Sequence, residues 1–262
     1  MEPIVRLVRK FAVGFFNGQD PAVCRAVMVP DYRLRMSDAI IAGRDAEYLP
    51  AVQSQFEQFP GLTMTIHQVI TNGERVAVYL SEHGASGGPG GRATAWAGMA
   101  LYEWNGEQLT GCVAVEDYHA RRRQLTSGIP DPISSPAVAP WDVAASAADP
   151  AAEDVVRAWL SAASTIEVDG VLRDDEHLTG DPPLVFEPVS TDVTDVFSAG
   201  HLVAFHARQA GRYRSGFSGV DAFPHDVTLF SAGIVSVTNG RVDGGRVIRD
   251  RAALHRALRS PR

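Results

Sequence analysis

The stretch that decides the fold reads Val113-Ala114-Val115-Glu116-Asp117, and a similar stretch recurs later in the chain as Arg246-Val247-Ile248-Arg249-Asp250. An Asn-Gly pair precedes each stretch, and a Leu follows each Asp after the same interval of eight residues, at Leu125 and Leu258. A repeat unit on the order of a hundred residues indicates two copies of one domain, because the units of a solenoid are much shorter. We therefore expect tandem domains, each closing with a strand that ends in an acid.

The patterns upstream of these endings predict helices first and strands afterwards. Ile4, Val8, Phe11 and Phe15 form the apolar stripe of a first helix. Residues 62–67, 75–83, 93–104 and 108–118 alternate as strands, and Asn-Gly turns join them as hairpins. This order predicts an α+β fold with two tandem domains, each a curved antiparallel or mixed sheet packed on N-terminal helices.

Composition divides the chain into two domains and a linker. Residues 127–148 are rich in Pro, Ser and Ala and have little periodicity, which is typical of a linker. The first domain then spans 1–126, and a second, shorter domain spans 149–262. Each is long enough to bury its own core.

The second copy has no room for one of the helices. The first half carries a helical pattern at 45–59, whereas the interval from Phe186 to Val193 in the second half is too short for an equivalent. If that helix roofs a pocket, the second copy has a thinner roof. We therefore expect the active pocket in the first domain.

Charge and composition limit the functions that the chain can have. The net charge is −7, and the largest basic run is Arg121–Arg123, so a nucleic-acid partner is not expected. No apolar run approaches the roughly 20 residues that span a bilayer, and the N-terminus does not resemble a secretory signal. Cys24 and Cys112 form neither a disulfide framework nor a metal-site spacing. We expect a cytoplasmic protein with no membrane partner, no metal and no cofactor.

Several short motifs occur in an order that resembles one superfamily. The motifs are Phe59-Pro60-Gly61-Leu62, Thr65-Ile66-His67, Asn72-Gly73-Glu74-Arg75-Val76-Ala77-Val78 and Glu116-Asp117-Tyr118. Together they resemble the nuclear-transport-factor-2-like superfamily, and within it the group of SnoaL-like polyketide cyclases and limonene epoxide hydrolases. The resemblance covers nearly all of residues 1–126 and, more weakly, residues 150–260.

The resemblance implies a cone of curved sheet wrapped around helices, with an apolar pocket between them. Implied activities are isomerisation, aldol ring closure of polyketides, epoxide hydrolysis and epoxide-opening cyclisation. The superfamily also contains binding and scaffold domains, so the fold alone does not establish an enzyme. Two copies in one chain imply an intramolecular pseudo-dimer and leave further homodimerisation open.

Asp117 is the first candidate catalytic residue. The resemblance places it where limonene epoxide hydrolase has its water-activating Asp, and Asp250 holds the matching place in the second copy. Asp117 shares a strand face with Val113 and Val115, so we expect its carboxyl to face an apolar cavity. Lost hydration there would raise the pKa of the carboxyl toward a range useful for a general base. The alternative is a structural carboxylate that bonds a backbone amide or an arginine of 121–123.

Two further groups are candidates for proton transfer. His67 stands among threonines and could relay a proton as a neutral imidazole, or could simply be satisfied by backbone groups. Glu82 shares a strand face with large aliphatic residues, which would place it beside Asp117 at the pocket. Two carboxyls in one cavity would split their pKa values into one acid and one base. Glu116 points the other way from Asp117, so we interpret it as structural or exposed.

Aromatic residues supply the candidates for substrate binding, although aromatic residues on strands more often belong to a core. The candidates are Tyr48, Phe56, Trp96 and Tyr102. In the second copy the matching set includes His206, Arg208 and Asp250. The hydrolase pattern also has an Arg-x-Asp on the preceding strand, whereas this chain has Ser81-Glu82-His83 and Arg208-Gln209-Ala210 there. That departure weakens the expectation of epoxide hydrolysis.

The sequence therefore predicts a cofactor-independent acid–base enzyme of the cyclase or isomerase type. Its substrate would be a hydrophobic, oxygenated small molecule of polyketide-like or terpenoid-like metabolism. Epoxide hydrolysis or epoxide-opening cyclisation is the alternative chemistry. A non-catalytic module that binds a small molecule or assembles with a partner is the alternative of another class.

Overall fold

The computed structural model describes residues 1–88, 90–161, 170–173 and 182–259, which form an α+β fold with two sheets, each packed against helices. The α-helices are α1 Pro3–Arg9, α2 Pro21–Val27, α3 Leu49–Gln58, α4 Tyr118–Ser127, α5 Pro150–Ser161 and α6 Arg251–Arg259. Two π-helical segments, Lys10–Asn17 and Arg44–Tyr48, continue α1 and precede α3. The strands are β1 Met28–Met36, β2 Ala39–Ala42, β3 Thr63–Thr71, β4 Val76–Ala85, β5 Ala93–Trp104, β6 Leu109–Glu116, β7 Val171–Arg173, β8 Val185–Ala199, β9 Leu202–Ser215, β10 Asp226–Thr238 and β11 Arg241–Arg249.

The two sheets have corresponding strand orders. In the N-terminal unit, from α1 to α4, the order is β2-β1-β6-β5-β4-β3, with β1 parallel to β6 and the other neighbours antiparallel. In the C-terminal unit, from α5 to α6, the order is β7-β11-β10-β9-β8, with β7 parallel to β11. Within the described residues, β7, β11, β10, β9 and β8 thus pair in the same order as β1, β6, β5, β4 and β3 of the N-terminal sheet. The interval from Phe186 to Val193, which the sequence predicts to be too short for a helix, belongs to strand β8.

The segment between the units runs along the first sheet. The amide of Ala137 donates to the carbonyl of Ile66 at 3.3 Å, and the amide of Ser146 donates to the carbonyl of Thr71 at 3.0 Å. Ile66 and Thr71 belong to β3, the edge strand of that sheet. Covering an edge strand satisfies backbone groups that would otherwise pair with another chain.

The N-terminal sheet is buried on both faces. One face packs on the helices in a core that includes Val76, Val78 and Leu80 of β4. The opposite face packs on the C-terminal sheet within the same chain. The apolar residues of that sheet–sheet interface are Ile70, Ala77, Tyr79, Ala97, Met99, Leu101, Val115, Phe197, Ala199, Ala204, Ala232, Ile234 and Ile248.

A buried ion pair crosses the interface between the units. The guanidinium of Arg251 donates to Asp117 through Nη2–Oδ2 at 2.5 Å and Nε–Oδ1 at 3.2 Å. The side chains are only 2% and 4% exposed, respectively. In a matching contact, the hydroxyl of Ser37 donates to Asp250 of the C-terminal unit. Each Asp also accepts a backbone hydrogen bond at the start of the helix that follows it, from Ala120 and Ala253.

Removing one partner of this pair should destabilise the fold strongly. We expect Arg251→Met to lower the free energy of unfolding by about 3–5 kcal/mol, because Asp117 would remain buried without its countercharge. The double variant Asp117→Asn/Arg251→Met should recover part of the loss, since the carboxylate of Asp117 is removed together with its countercharge. Chemical denaturation of both variants measures this. Arg214→Met, which breaks the exposed pair with Glu187, is the control and should have little effect. Equal effects of Arg251→Met and Arg214→Met would contradict a structural role for the buried pair.

Candidate active site

A cavity of about 310 Å³ lies between the helices and the first sheet of the N-terminal unit. Its size is in the range of small-molecule sites. Most of the lining is apolar or aromatic, and the ionisable groups gather at one end. The lining residues are Phe11, Phe16, Tyr32, Leu34, Met36, Ile41, Tyr48, Ala51, Val52, Gln55, Gln58, Met64, Leu80, Glu82, Ala100, Tyr102, Cys112, Ala114, Glu116, Tyr118 and Arg121.

Two carboxyl groups enter this cavity from the sheet. Glu82 lies on β4 opposite Trp96 of β5, and Glu116 ends β6 opposite Gly98 of β5. Directly paired residues of an antiparallel ladder point to the same face, so these positions share the helix-facing side of the sheet. Strand register therefore brings Glu82 and Glu116 together although 33 positions separate them in the sequence.

Each carboxyl receives a hydrogen bond from a neighbouring side chain. The amide nitrogen Nε2 of Gln55, on α3, donates to Oε2 of Glu82 at 2.8 Å. The indole Nε1 of Trp96 donates to Oε2 of Glu116 at 2.8 Å. Tyr118 also stabilises the charged form of Glu116 through its hydroxyl. These donors orient both carboxyls at the wall of the cavity.

Burial gives both carboxyls an increased affinity for protons. The pKa of Glu82 lies well above its usual value, chiefly because burial disfavours the charged form and secondly because Glu116 is nearby. Burial also raises the pKa of Glu116, although the hydrogen bonds from Trp96 and Tyr118 and the charge of Arg121 oppose this shift. Two negative charges in one apolar cavity repel each other, so this repulsion and burial both favour the neutral form of Glu82.

A glycine makes room for this arrangement. A Cβ atom at Gly98 would lie 3.1 Å from Cγ of Glu116 and 3.0 Å from Cδ1 of Leu80. Both distances are shorter than ordinary van der Waals contact, so a side chain at this position would displace one of the two residues. Gly98 therefore allows Glu116 to lie over β5 beside the cavity.

Arg121 supplies the positive charge of the site. It lies on α4, one turn after Tyr118, and its guanidinium carbon is 4.2 Å from the centroid of the Tyr118 ring. The same carbon is 5.0 Å from the centroid of Trp96 and 5.3 Å from that of Phe59. Such stacking attracts a cation to the ring faces. Three aromatic rings thus hold the guanidinium at the acidic end of the cavity.

Phenol groups line another part of the cavity. Tyr32, Tyr48 and Tyr102 are almost fully buried, and burial raises the pKa of each phenol well above its usual value. Burial also raises the pKa of the thiol of Cys112, which lies beside Tyr32. All four groups are therefore neutral over the physiological range. The hydroxyl of Tyr32 bonds Cys112, whereas Tyr48 and Tyr102 can donate hydrogen bonds to a ligand oxygen.

Comparison with known families assigns the unit that contains this cavity. Residues 8–111 match the family model of the SnoaL-like domain. We refer to the N-terminal unit, which contains this match, as the SnoaL-like domain. The match ends early in β6, so the cavity residues Glu116, Tyr118 and Arg121 lie beyond it. The comparison with curated proteins returned no match.

Solved structures of similar proteins each align with about half of the chain. A protein assigned as a SnoaL-like polyketide cyclase from a Jannaschia species is 22% identical, with 47% of this chain and 91% of that chain covered and a TM-score of 0.44. IdmH from Streptomyces antibioticus, assigned as a polyketide cyclase, is 18% identical, with coverages of 46% and 96% and a TM-score of 0.42. AclR from Streptomyces galilaeus, assigned as a hydroxylase, is 14% identical, with coverages of 48% and 98% and a TM-score of 0.43.

The expectation that Asp117 faces the large cavity is wrong. Its carboxyl lies on the side of the first sheet that packs on the C-terminal unit, and Arg251 binds both of its oxygens. The space beside it amounts to about 20 Å³, which is too small for a substrate. The alternative interpretation, a structural carboxylate held by an arginine and a backbone amide, describes the residue correctly, although the arginine comes from the other unit. Glu116, which the sequence predicts to be structural or exposed, lines the cavity instead of Asp117.

His67 also lies outside the cavity of the SnoaL-like domain. Its ring nitrogens contact the carbonyl of Ser135 at 3.0 Å and the hydroxyl of Ser81 at 2.9 Å, and the ring lies 4.9 Å from that of Tyr79. Tyr79 belongs to the interface between the sheets. His67 is therefore a half-buried histidine satisfied by its neighbours, and the proton-relay expectation is wrong.

The predicted binding residues divide into lining residues and supporting residues. Tyr48 and Tyr102 line the cavity, as does Glu82 among the predicted catalytic groups. Trp96 lies behind Glu116 as its hydrogen-bond donor. Phe56 packs against Phe15 and Phe16, with ring centroids 6.1 Å and 5.4 Å away, and contributes to the wall from behind.

The C-terminal unit does not reproduce the acid pair. Asp117 and Asp250 hold corresponding places, because their amides bond Ala97 of β5 and Phe230 of β10. These two bonds align the paired strands of one sheet with those of the other. In this alignment Gln209 corresponds to Glu82, and Arg249 corresponds to Glu116.

The expected C-terminal site residues are dispersed. Arg208 is exposed, and Asp250 bonds Ser37 of the other unit. His206 is buried, and its Nδ1 contacts the hydroxyl of Thr194 at 2.5 Å. Burial is the main reason why the pKa of His206 falls to about 4. These three residues do not form one site.

Among the described residues, no group of three or more His, Cys, Asp and Glu side chains is placed to hold a metal ion. No helix in the same ranges is long and apolar enough to cross a membrane.

The raised pKa of Glu82 predicts a pH-dependent stability. Because folding raises this pKa above its unfolded value, the stabilisation that Glu82 provides is complete at low pH and is lost as pH rises through the folded pKa. We expect Glu82→Gln to be more stable than wild type at about pH 8 and to lose that advantage at about pH 4. Thermal or urea unfolding at both pH values measures the difference. Exposed Glu107→Gln is the matched control, and a pH-independent effect of Glu82→Gln would contradict the buried, protonated carboxyl.

Proposed function

We propose that the SnoaL-like domain is a cofactor-independent acid–base catalyst that cyclises or isomerises a hydrophobic, oxygenated small molecule. The observation that carries the proposal is the pair of carboxyls, buried Glu82 and half-buried Glu116, in an apolar cavity of about 310 Å³. Burial raises the pKa of both, toward the range where proton transfer is efficient near neutral pH. The match of residues 8–111 to the SnoaL-like domain model supports this class of reaction.

The environments of the two carboxyls suggest different roles. Glu82 is only 3% exposed and has the more strongly raised pKa, so it serves as the acid. Its Oε2 accepts from Gln55, which leaves Oε1 to carry the proton and donate it to a substrate oxygen. Glu116 receives hydrogen bonds that favour its charged form, so it serves as the base that removes a proton from carbon.

The rest of the cavity supports this reaction. The phenols of Tyr48 and Tyr102 can donate hydrogen bonds to a carbonyl or to a developing oxyanion, and their raised pKa values keep them protonated. Apolar walls would fold a flexible substrate so that its reacting atoms meet, which favours ring closure by orientation. Epoxide opening could use the same acid–base pair.

The C-terminal unit serves as the packing partner of the catalytic unit. Gln209 and Arg249 replace the two acids in corresponding register positions. Its sheet covers the second face of the catalytic sheet, which makes the chain an intramolecular pseudo-dimer. We therefore assign catalysis to the N-terminal cavity alone.

A ligand-binding protein without catalytic activity is the competing hypothesis. The hydrogen bonds from Gln55 and Trp96 favour it, because each carboxyl already has a partner on one oxygen. Binding without conversion across a panel of linear polyketide-like ketones and terpenoid epoxides would support this hypothesis.

Turnover should depend on both carboxyls. We expect Glu116→Gln to lower kcat by about a hundred- to ten-thousandfold, because the base is lost while size and hydrogen bonding change little. Glu82→Gln should lower kcat by a similar factor. Product formation from the panel measures this, with Glu107→Gln as the control that keeps full activity. Undiminished turnover in Glu116→Gln would remove that residue from the mechanism.

The pH profile should identify the acid and the base. With wild-type protein, kcat/KM should fall at low pH as the base becomes protonated and fall at high pH as the acid loses its proton. Glu82→Gln should retain the low-pH decline and lose the high-pH decline. Rates measured from about pH 4 to about pH 10 test this assignment. The reverse pattern would exchange the roles of Glu82 and Glu116.

A further inference from the structure

Arg121 places a positive charge beside the apolar cavity, and aromatic rings fix the position of its side chain. Tyr118, Trp96 and Phe59 surround its guanidinium at 4.2–5.3 Å. Arginine recognises carboxylates through a planar array of N–H donors. The guanidinium is held close to the rings at the wall of the cavity, where a ligand can reach it.

The charge of Arg121 has no ion-pair partner in the described part of the chain. The two carboxyls of the cavity affect it only at longer range, and Trp96 and Gln55 occupy one oxygen of each. Burial raises the pKa of both carboxyls, which favours their neutral forms and weakens the charge that they offer to balance the guanidinium. A cation beside an apolar cavity without a close counterion favours an anionic ligand.

We propose that the SnoaL-like domain binds an amphipathic anion, whose apolar body fills the cavity and whose carboxylate or enolate group contacts Arg121. This inference rests on the proposed function in one respect, because it treats the bound anion as the substrate of that reaction. It predicts that free acids, and ketones that enolise readily, are preferred over neutral esters and epoxides of the same size. The anionic group lies at the end of the cavity that holds Glu82 and Glu116, so the carbon atoms next to it are the ones exposed to the acid–base pair.

A matched pair of fluorescent dyes tests the charge preference. Anilinonaphthalene sulfonate and N-phenylnaphthylamine share one aromatic body and differ in the sulfonate. Wild-type protein should bind the sulfonate at least about tenfold more tightly, the size expected of one charge-assisted contact. The preference should shrink as salt is added. Equal affinity for the two dyes in wild type would overturn the proposal.

Two arginine variants locate the contact. Arg121→Met should lose the preference for the sulfonate while keeping its affinity for the neutral dye within about twofold, which also shows that the cavity is intact. Arg122→Met is the control, because Arg122 lines a separate cleft near Phe217 and should not affect either dye. If Arg121→Met binds neither dye, Arg121→Lys decides: it keeps the charge and should keep the preference. A preference retained in Arg121→Met, or lost in Arg122→Met alone, would contradict the assignment.

The outcomes distinguish this inference from the proposed reaction. Turnover that depends on Glu116 without any preference for anions would refute the anion site and leave the acid–base proposal standing. A preference that depends on Arg121, together with no conversion of acidic or neutral compounds, would refute catalysis and leave a binding site for amphipathic anions.

Discussion

The structure depends on one constraint: the sheet of the SnoaL-like domain is buried on both faces, and the ion pair between Asp117 and Arg251 joins its last strand to the other unit. Successive residues of a strand point to opposite sides of the sheet. Each strand therefore contributes side chains both to the cavity side and to the interface with the C-terminal sheet. In β6, Val115 and then Asp117 at its end face the C-terminal sheet, whereas Ala114 and Glu116 face the cavity. The ion pair holds the turn from which Glu116 and the helix α4 both extend.

This arrangement explains why the carboxyls have unusual proton affinity. Glu82 and Glu116 lie in a space that the fold leaves unfilled, with neutral amide and indole donors as close neighbours in place of a direct countercharge. Burial without such a countercharge raises a carboxyl pKa, whereas a carboxylate bound closely by arginine is stabilised in its charged form. The close contact between Asp117 and Arg251 therefore suits a structural role. The cavity pair has the raised proton affinity on which the proposed reaction depends.

The two units show how one fold can serve two purposes. Both have the same strand pairing and an Asp that begins the final helix. At the positions that Glu82 and Glu116 hold in the N-terminal unit, the C-terminal unit has Gln209 and Arg249. Function therefore lies in the side chains on one face of the sheet and not in the fold itself. The second unit contributes a covered face and one half of the interface that positions the site.

The sequence by itself determined the α+β class, the order of helices and strands, and the face of β4 on which Glu82 lies, because alternation and turn residues are local signals. Tertiary structure alone decided that Glu116, and not Asp117, completes the acid pair. Alternation divides a strand into two faces, but it cannot say which face has the cavity when both are apolar. Large valines on β6 suggested the wrong face, because they pack against the other sheet. The small residues Gly98 and Ala114 leave space on the cavity side, and that space exists only once the strands, the helices and the second unit are packed together.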